Sequence, residues 1–281
     1  MMKKCLLFLI PLMLLASSCG TSNPEYLLSS GAKVLQAATL TDAQIQAYVG
    51  QYVTRLDAEN KVLPESSPYV KRVRNMTKGL TSVDGIPLNF KVYQTSDVNA
   101  FACADGSVRI YTGLLDLMSD DEVLGVVGHE IGHVALKHSR KQFQQALMTS
   151  AVRDAIISTG GDVAVLTASQ LGDIGEALAS SSFSRKQESQ ADDYGYDFLK
   201  SSGKNPWAMA MAFEELLKLS GGSTGNGTQA AAGNSVTSLF SSHPATQTRI
   251  QKMSERATKD GYVRPSAKKS TTAATSSAKK K

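Results

Sequence analysis

The sequence predicts an α+β protein, mainly helical, with a small β-sheet packed beside one buried helix. Three observations predict this class. Apolar residues recur at helical spacing through most of the middle of the chain. Two short runs, 88–93 (LNFKVY) and 108–111 (VRIY), read as neighbouring strands. Between these strands and the later helices lies the segment 119–138, SDDEVLGVVGHEIGHVALKH. Its apolar residues cover most sides, as they do on a helix enclosed by protein. At 281 residues the chain can form one good-sized domain or two small ones. Its net charge of +5 is modest and its basic residues gather at the C-terminus, so no nucleic-acid footprint is implied.

Residues 1–18 read as a signal peptide. Lys3 and Lys4 form a positive start, and Leu6–Leu15 form an apolar run too short to span a bilayer permanently. The run ends Leu15-Ala16-Ser17-Ser18-Cys19-Gly20, which resembles a bacterial lipobox with Ala16 where Leu is usual. Cys19 is then the lipidated first residue of the mature protein. The alternative is an ordinary signal peptide cut nearby. Gly20 after the cysteine resembles sorting to the outer membrane, with the protein facing the periplasm of a bacterial envelope. Cys5 leaves with the signal and Cys19 is acylated. Cys103 then has no partner for an intrachain disulfide and reads as a packed residue.

Residues 19–40 read as a tether, 41–262 as the folded domain and 263–281 as a disordered basic tail. Within the domain, helical spacing predicts a helix over Asp42–Leu63, with Asp42 helping to cap it, and a second over Pro68–Leu80. The strand at 88–93 precedes 98–111, which reads as a hairpin or meander turning at 104–107. An edge strand here, with Asn99, Ala100 and Phe101, is a candidate for binding an extended peptide through its backbone. Beyond the central helix, Ala146–Ile157 and Val163–Leu178 read as helices broken at Gly160–Gly161, and serve either as a lid or as packing. Ser184 and Gln187 have capping-box spacing for a helix reaching Ser202 and ending at Gly203. Asn205-Pro206 starts the next helix, residues 220–238 read as a flexible loop, and Pro244 opens the last helix.

The chemistry centres on His129-Glu130-Ile131-Gly132-His133, an H-E-x-x-H motif. Ser119 and Glu122 form a capping box for its helix, and Asp120 and Asp121 complement the helix dipole. Four residues advance a helix by about one turn, so His129 and His133 share a face and both imidazoles can reach one Zn2+ ion. Glu130 lies on the flank of that face, where it meets a zinc-bound water as general base. Gly128 and Gly132 leave a bare strip against which another backbone can pack. A catalytic zinc needs three protein ligands. Glu188 is the best third candidate. Asp192, four residues on and on the same face, is placed to accept a hydrogen bond from a ligand histidine.

The HEIGH helix, the SRKQESQADDYGYDF segment and the later SSHPATQTRI segment together resemble the zinc metallopeptidase family that includes HtpX and the CaaX-processing endopeptidase. The resemblance is strongest to the LoiP-like branch of outer-membrane lipoprotein proteases and covers Tyr26 to Gly261. It implies a thermolysin-like zincin core and one zinc per chain held by His129, His133 and Glu188. It also implies Glu130 as catalytic base, Asp192 behind the ligands, and misfolded or unassembled envelope polypeptides as substrates. The chain lacks the multiple membrane helices of HtpX-like members and the long helical-repeat extension of BepA, so those properties do not carry over.

His243, at the end of the Gly/Ser-rich stretch, either stabilises a developing oxyanion or, as the resemblance to BepA-type members suggests, occupies the open position of the zinc at rest. Arg249 faces either the cleft or solvent. His138, five residues past His133, falls off the ligand face and reads as structural. The leading expectation is a zinc-dependent endopeptidase, partnered with unfolded envelope proteins, with the membrane through its lipid, and with outer-membrane assembly or quality-control factors. The alternative is a zinc-bearing envelope chaperone or assembly factor.

Overall fold

The computed structural model describes residues 40–148, 150–159, 162–219, 242–244 and 246–266. The expected signal peptide, the tether up to 39, the Gly160–Gly161 break, the stretch 220–238 and the tail from 267 lie outside these residues.

Helix α1 (Asp42–Glu59) starts at Asp42 as expected but is capped by Thr41, not by Asp42. The Thr41 hydroxyl accepts from the Gln44 amide at 3.2 Å while the Gln44 side chain accepts from the Thr41 amide at 2.8 Å. It also ends earlier than the periodicity suggests. Val62 bridges to Tyr93 and the Leu63 amide donates to Val92, so residues 61–63 join the sheet edge instead of continuing the helix. Helix α2 (Pro68–Met76) likewise stops short of Leu80, with Val73 buried. A short hairpin follows, β1 (Ser82–Val83) and β2 (Ile86–Pro87), turned by Asp84 and Gly85 at positive φ. The Asp-Gly pair is the signal for it in the sequence.

The three-stranded sheet has the order β3 (Asn89–Tyr93), β5 (Ser107–Tyr111), β4 (Ala100–Ala102). The β4–β5 hairpin is antiparallel, with Phe101 opposite Arg109. β3 pairs parallel to β5, with Lys91 opposite Arg109. Arg109 is almost wholly buried on the central strand and is held by Asp57 of α1 at 2.8 and 3.0 Å. Asp57 also takes hydrogen bonds from Lys91 and Tyr93, which fastens α1 to the sheet.

Helix α3 (Thr112–Leu117), not marked by periodicity, leads into α4 (Asp120–Ala135), the helix that carries H-E-x-x-H. The Ser119–Glu122 capping box forms as its spacing predicts, with the Glu122 carboxylate accepting from the Ser119 amide at 2.7 Å. Val123, Leu124, Val127 and Ile131 are buried. Each fully buried aliphatic side chain contributes about 1.5–3 kcal/mol of burial. Around α4 pack β4, α8 (Arg185–Ser201), α9 (Trp207–Leu219) and then α10 (Gln247–Lys259), which rests on α9. α10 begins at Gln247, capped by Thr246, three residues later than Pro244.

The expected single helix over 146–157 is replaced by α5 (His138–Leu147) and α6 (Ser150–Ser158), and α7 (Ala168–Ala179) starts at a Thr167 capping box. Phe143, Leu147, Val152, Ile156 and Ile174 form a second apolar cluster with Ile45, Tyr48 and Val49 of α1. In the structure this region packs against α1.

Candidate metal centre

Helices α4 and α8 cross at glycine. A Cβ on Gly195 would lie 2.9 Å from the backbone nitrogen of His129, and one on Gly132 would lie 2.9 Å from Cβ of Tyr194. The bare strip expected at Gly128 and Gly132 is therefore used, and the partner helix supplies Gly195 against it. This close approach brings Glu188, on the first turn of α8, over the two histidines.

His129 Nε2 lies 3.2 Å from His133 Nε2. Glu188 Oε1 lies 3.4 Å from His133 Nε2, and Glu188 Oε2 lies 3.7 Å from His129 Nε2. His243 enters the same cluster, its Nδ1 at 2.9 Å from Glu188 Oε1 and 3.2 Å from His129 Nε2. One ligand atom from each of His129, His133, Glu188 and His243 falls within 4.8 Å of the others, and all four residues are buried. His129 Nδ1 is 3.0 Å from Asp192 Oδ1, an ion-pair distance at which the carboxylate favours the tautomer protonated at Nδ1, with Nε2 as the lone pair. Imidazole nitrogens and a carboxylate converging in a buried site suit a divalent cation. Glu130 Oε1 is buried without a hydrogen-bond partner among the described residues, 3.7 Å from His243 Nε2.

Arg249 resolves the choice between cleft and solvent in favour of the cleft. Its guanidinium contacts Glu188 Oε2 at 2.8 Å and Asp192 at 2.6 and 2.9 Å, donates to the Pro244 carbonyl, and lies over the Phe213 ring. Burial works to raise the Glu188 carboxyl, but hydrogen bonds from His133 and His243 outweigh it and hold the group well below the usual carboxylate range. At Asp192 burial is likewise outweighed, by His129 and Arg249. Burial pushes His133 down to about 2 and also lowers His138. Burial opposes charge on His243, yet the carboxylates of Glu130 and Glu188 raise it overall.

The other expected positions fall as follows. Asn99 and Ala100 are buried on and beside β4, and Phe101 is half-buried against Tyr93 and Tyr111. Cys103 is a half-buried free thiol. Cys19 lies outside the described residues. Two contacts escaped the sequence reading. Phe183 stacks on His133 with ring centroids 3.9 Å apart, and His138 Nδ1 lies 3.2 Å from His133 Nδ1. Neither Phe183 nor His138 stands at helical spacing from the residue it touches.

A mainly helical core with a small sheet, two histidines on one buried helix and a glutamate from a second define a zincin-like metal-dependent hydrolase. The comparisons narrow this class. The chain belongs to Peptidase family M48, which matches residues 70–257, and it is a metalloendopeptidase. It is 43% identical over 246 residues to Metalloprotease LoiP of Escherichia coli, covering 87% of this chain and 93% of that protein. It is 43% identical over 230 residues to Metalloprotease YcaL of Escherichia coli, covering 82% and 86%. It is 30% identical over 211 residues to a Protease HtpX homolog of Thermococcus sibiricus, covering 63% and 71%.

Proposed function

We propose that the protein is a zinc-dependent endopeptidase that cleaves misfolded or unassembled polypeptides of the bacterial cell envelope. The observation that carries this reading is Glu130 Oε1, buried without a hydrogen-bond partner among the described residues at the edge of a four-donor cluster. His129, His133 and Glu188 would hold the zinc. When bound, the ion supplies Lewis acidity to a peptide carbonyl and lowers the pKa of water. Glu130 takes the proton from the attacking water and returns it to the leaving amine. Asp192 and Arg249 fix His129 and Glu188 in place. His243 belongs to the oxyanion side of the reaction once it swings clear. In the conformation described here it fills the fourth place in the donor set, and this supports a resting state closed by His243.

The edge of β4 is the candidate for pairing with a substrate strand, and it would have to open to do so, because Ala100 is buried and the Ala102 carbonyl accepts from Ser139 Oγ at 3.3 Å. The Tyr111 amide donates to the Asn99 carbonyl and the Cys103 amide to the Ser107 carbonyl, so those residues spend their backbone groups inward on β5. The alternation turns the N–H and C=O of Ala100 to the outer edge of β4, beside α4. Backbone pairing there would be indifferent to side-chain identity, as a quality-control protease requires. The lipobox-like run ending at Cys19 supports a lipid anchor in the outer membrane facing the periplasm, near assembly and quality-control factors.

The test is Glu130→Gln in purified protein, with zinc counted by metal analysis and an unfolded protein as substrate. One zinc per chain with hydrolysis in the wild type alone is the expected result. Equal turnover in the variant would overturn the role of Glu130. A second reading, an envelope chaperone with zinc as a structural clip, is favoured by one observation, the closing of the donor set by His243, since structural sites are closed. Zinc without hydrolysis in the wild type, and undiminished suppression of client aggregation by Glu130→Gln, would favour it.

A further inference from the structure

His138 touches one of the proposed metal ligands without being one. Helix α4 ends at Ala135, and Lys137 adopts a left-handed conformation at φ 58°. In an unbroken helix a residue five positions past His133 would point well away from it. The left-handed residue instead turns the chain back, so His138, the first residue of α5, lies buried beside His133. The two rings meet at Nδ1, 3.2 Å apart, with planes at 65°. Phe183 stacks on His133 and tilts against His138, leaving His133 little freedom to rotate.

Only one proton can lie between two facing Nδ1 atoms, and its position decides whether His133 can bind a metal. If His138 donates, His133 in its neutral form carries its own proton on Nε2, the atom that points at His129 and Glu188. That tautomer excludes coordination through Nε2. If His133 donates, its Nε2 is a lone pair and His138 is the acceptor. His138 in its neutral form then carries its proton on Nε2. We propose that His138 is a positioning residue for the metal centre: its Nδ1 accepts the Nδ1–H of His133 and holds His133 in the tautomer whose Nε2 is free for the ion. His129 is served by a carboxylate, Asp192, and His133 by a neutral imidazole. The two halves of the motif are therefore oriented by acceptors of different charge.

The inference rests on the metal reading above, and its test separates the two. Zinc affinity is measured by competition with a chromogenic chelator for the wild type, His138→Leu and His138→Gln, with melting temperature as a check on folding. Leucine keeps the bulk and removes the acceptor; glutamine keeps an acceptor oxygen. The expected result is one zinc per wild-type chain, affinity about 10–100-fold weaker in His138→Leu, and most of that loss restored in His138→Gln. A wild type that binds no zinc would overturn the metal reading itself. A tightly binding wild type matched by His138→Leu, or equal losses in both variants, would overturn this inference and leave the metal reading standing. Should His138→Leu fail to fold, the zinc-loaded wild type still decides. A bridging proton whose one-bond 15N coupling is to His133 Nδ1, with a through-hydrogen-bond coupling to His138 Nδ1, supports the assignment; a proton bonded to His138 Nδ1 overturns it.

Discussion

Gly195→Ala tests how the centre is assembled, because the added carbon meets backbone and not a flexible side chain. It would lie 2.9 Å from the His129 nitrogen, about 0.5 Å inside the nearest ordinary contact, with Met209 at 3.1 Å on its other side. The helix nitrogen cannot move without α4, so α8 must back away by about that amount. Glu188 sits two turns up the same helix and moves with it. Zinc ligands tolerate about 0.2 Å of misplacement. We therefore expect zinc affinity to fall by at least about ten-fold and stability by about 1–3 kcal/mol, as for other overpacked sites. Gly128→Ala should weaken the same crossing, since its added carbon would meet a ring carbon of Phe198 at 2.5 Å and the Gly195 Cα at 3.2 Å. Gly50→Ala, in α1 with nothing within 4 Å, should be neutral or stabilising by up to about 1 kcal/mol. Chelator competition and thermal melting read both quantities. Wild-type zinc affinity in a folded Gly195→Ala protein would refute the argument that the glycine crossing sets the ligand spacing.

Three further outcomes follow from the same structure. Asp57→Asn leaves Arg109 buried without its counter-charge and should cost about 3–5 kcal/mol, read by urea unfolding at neutral pH. Burial works to raise the Asp57 carboxyl, but hydrogen bonds from Arg109, Lys91 and Tyr93 lower it from 3.8 to about 2. Its contribution is thus full above pH 3.8 and lost as pH falls through about 2, so the gap between wild type and variant should narrow across that window; a constant gap would count against the pairing. Arg249→Met strips the cation from Glu188 and Asp192, and zinc replaces part of that charge, so the melting temperature should fall further without zinc than with it. Equal falls would mean that Arg249 acts by packing alone. Cys19→Ala should move the protein from the membrane fraction to the soluble fraction, and continued membrane attachment would argue against the acyl anchor.

What could be read from the sequence was whatever depends on local spacing. The capping boxes at Ser119 and Ser184 form as their S-x-x-E/Q spacing predicts, and the two histidines share a face because a regular helix fixes their angle. The bare strip at Gly128 and Gly132 announced a close neighbour but not which one; that required the fold to bring Gly195 across it. His138 lies outside the donor set as its spacing predicts, but its contact with His133 was missed because the helix ends at Ala135 and the left-handed turn at Lys137 folds the chain back. Arg249 stayed undecided because its partners, Glu188 and Asp192, are about sixty residues away and no local pattern links them. Helix boundaries failed at Leu63 and Pro244 for a related reason: at Leu63 the chain was claimed by the sheet, and after Pro244 the helix waited for its Thr246 cap.

The Arg249 contacts also impose an order on biosynthesis. A ribosome delivers the two histidines first, then Glu188 and Asp192, and about sixty residues later the guanidinium that pairs with both carboxylates. Until that residue emerges, the two carboxylates lack the cation that pairs with both. The four-donor cluster and the guanidinium that clamps its carboxylates are complete only once residue 249 has emerged.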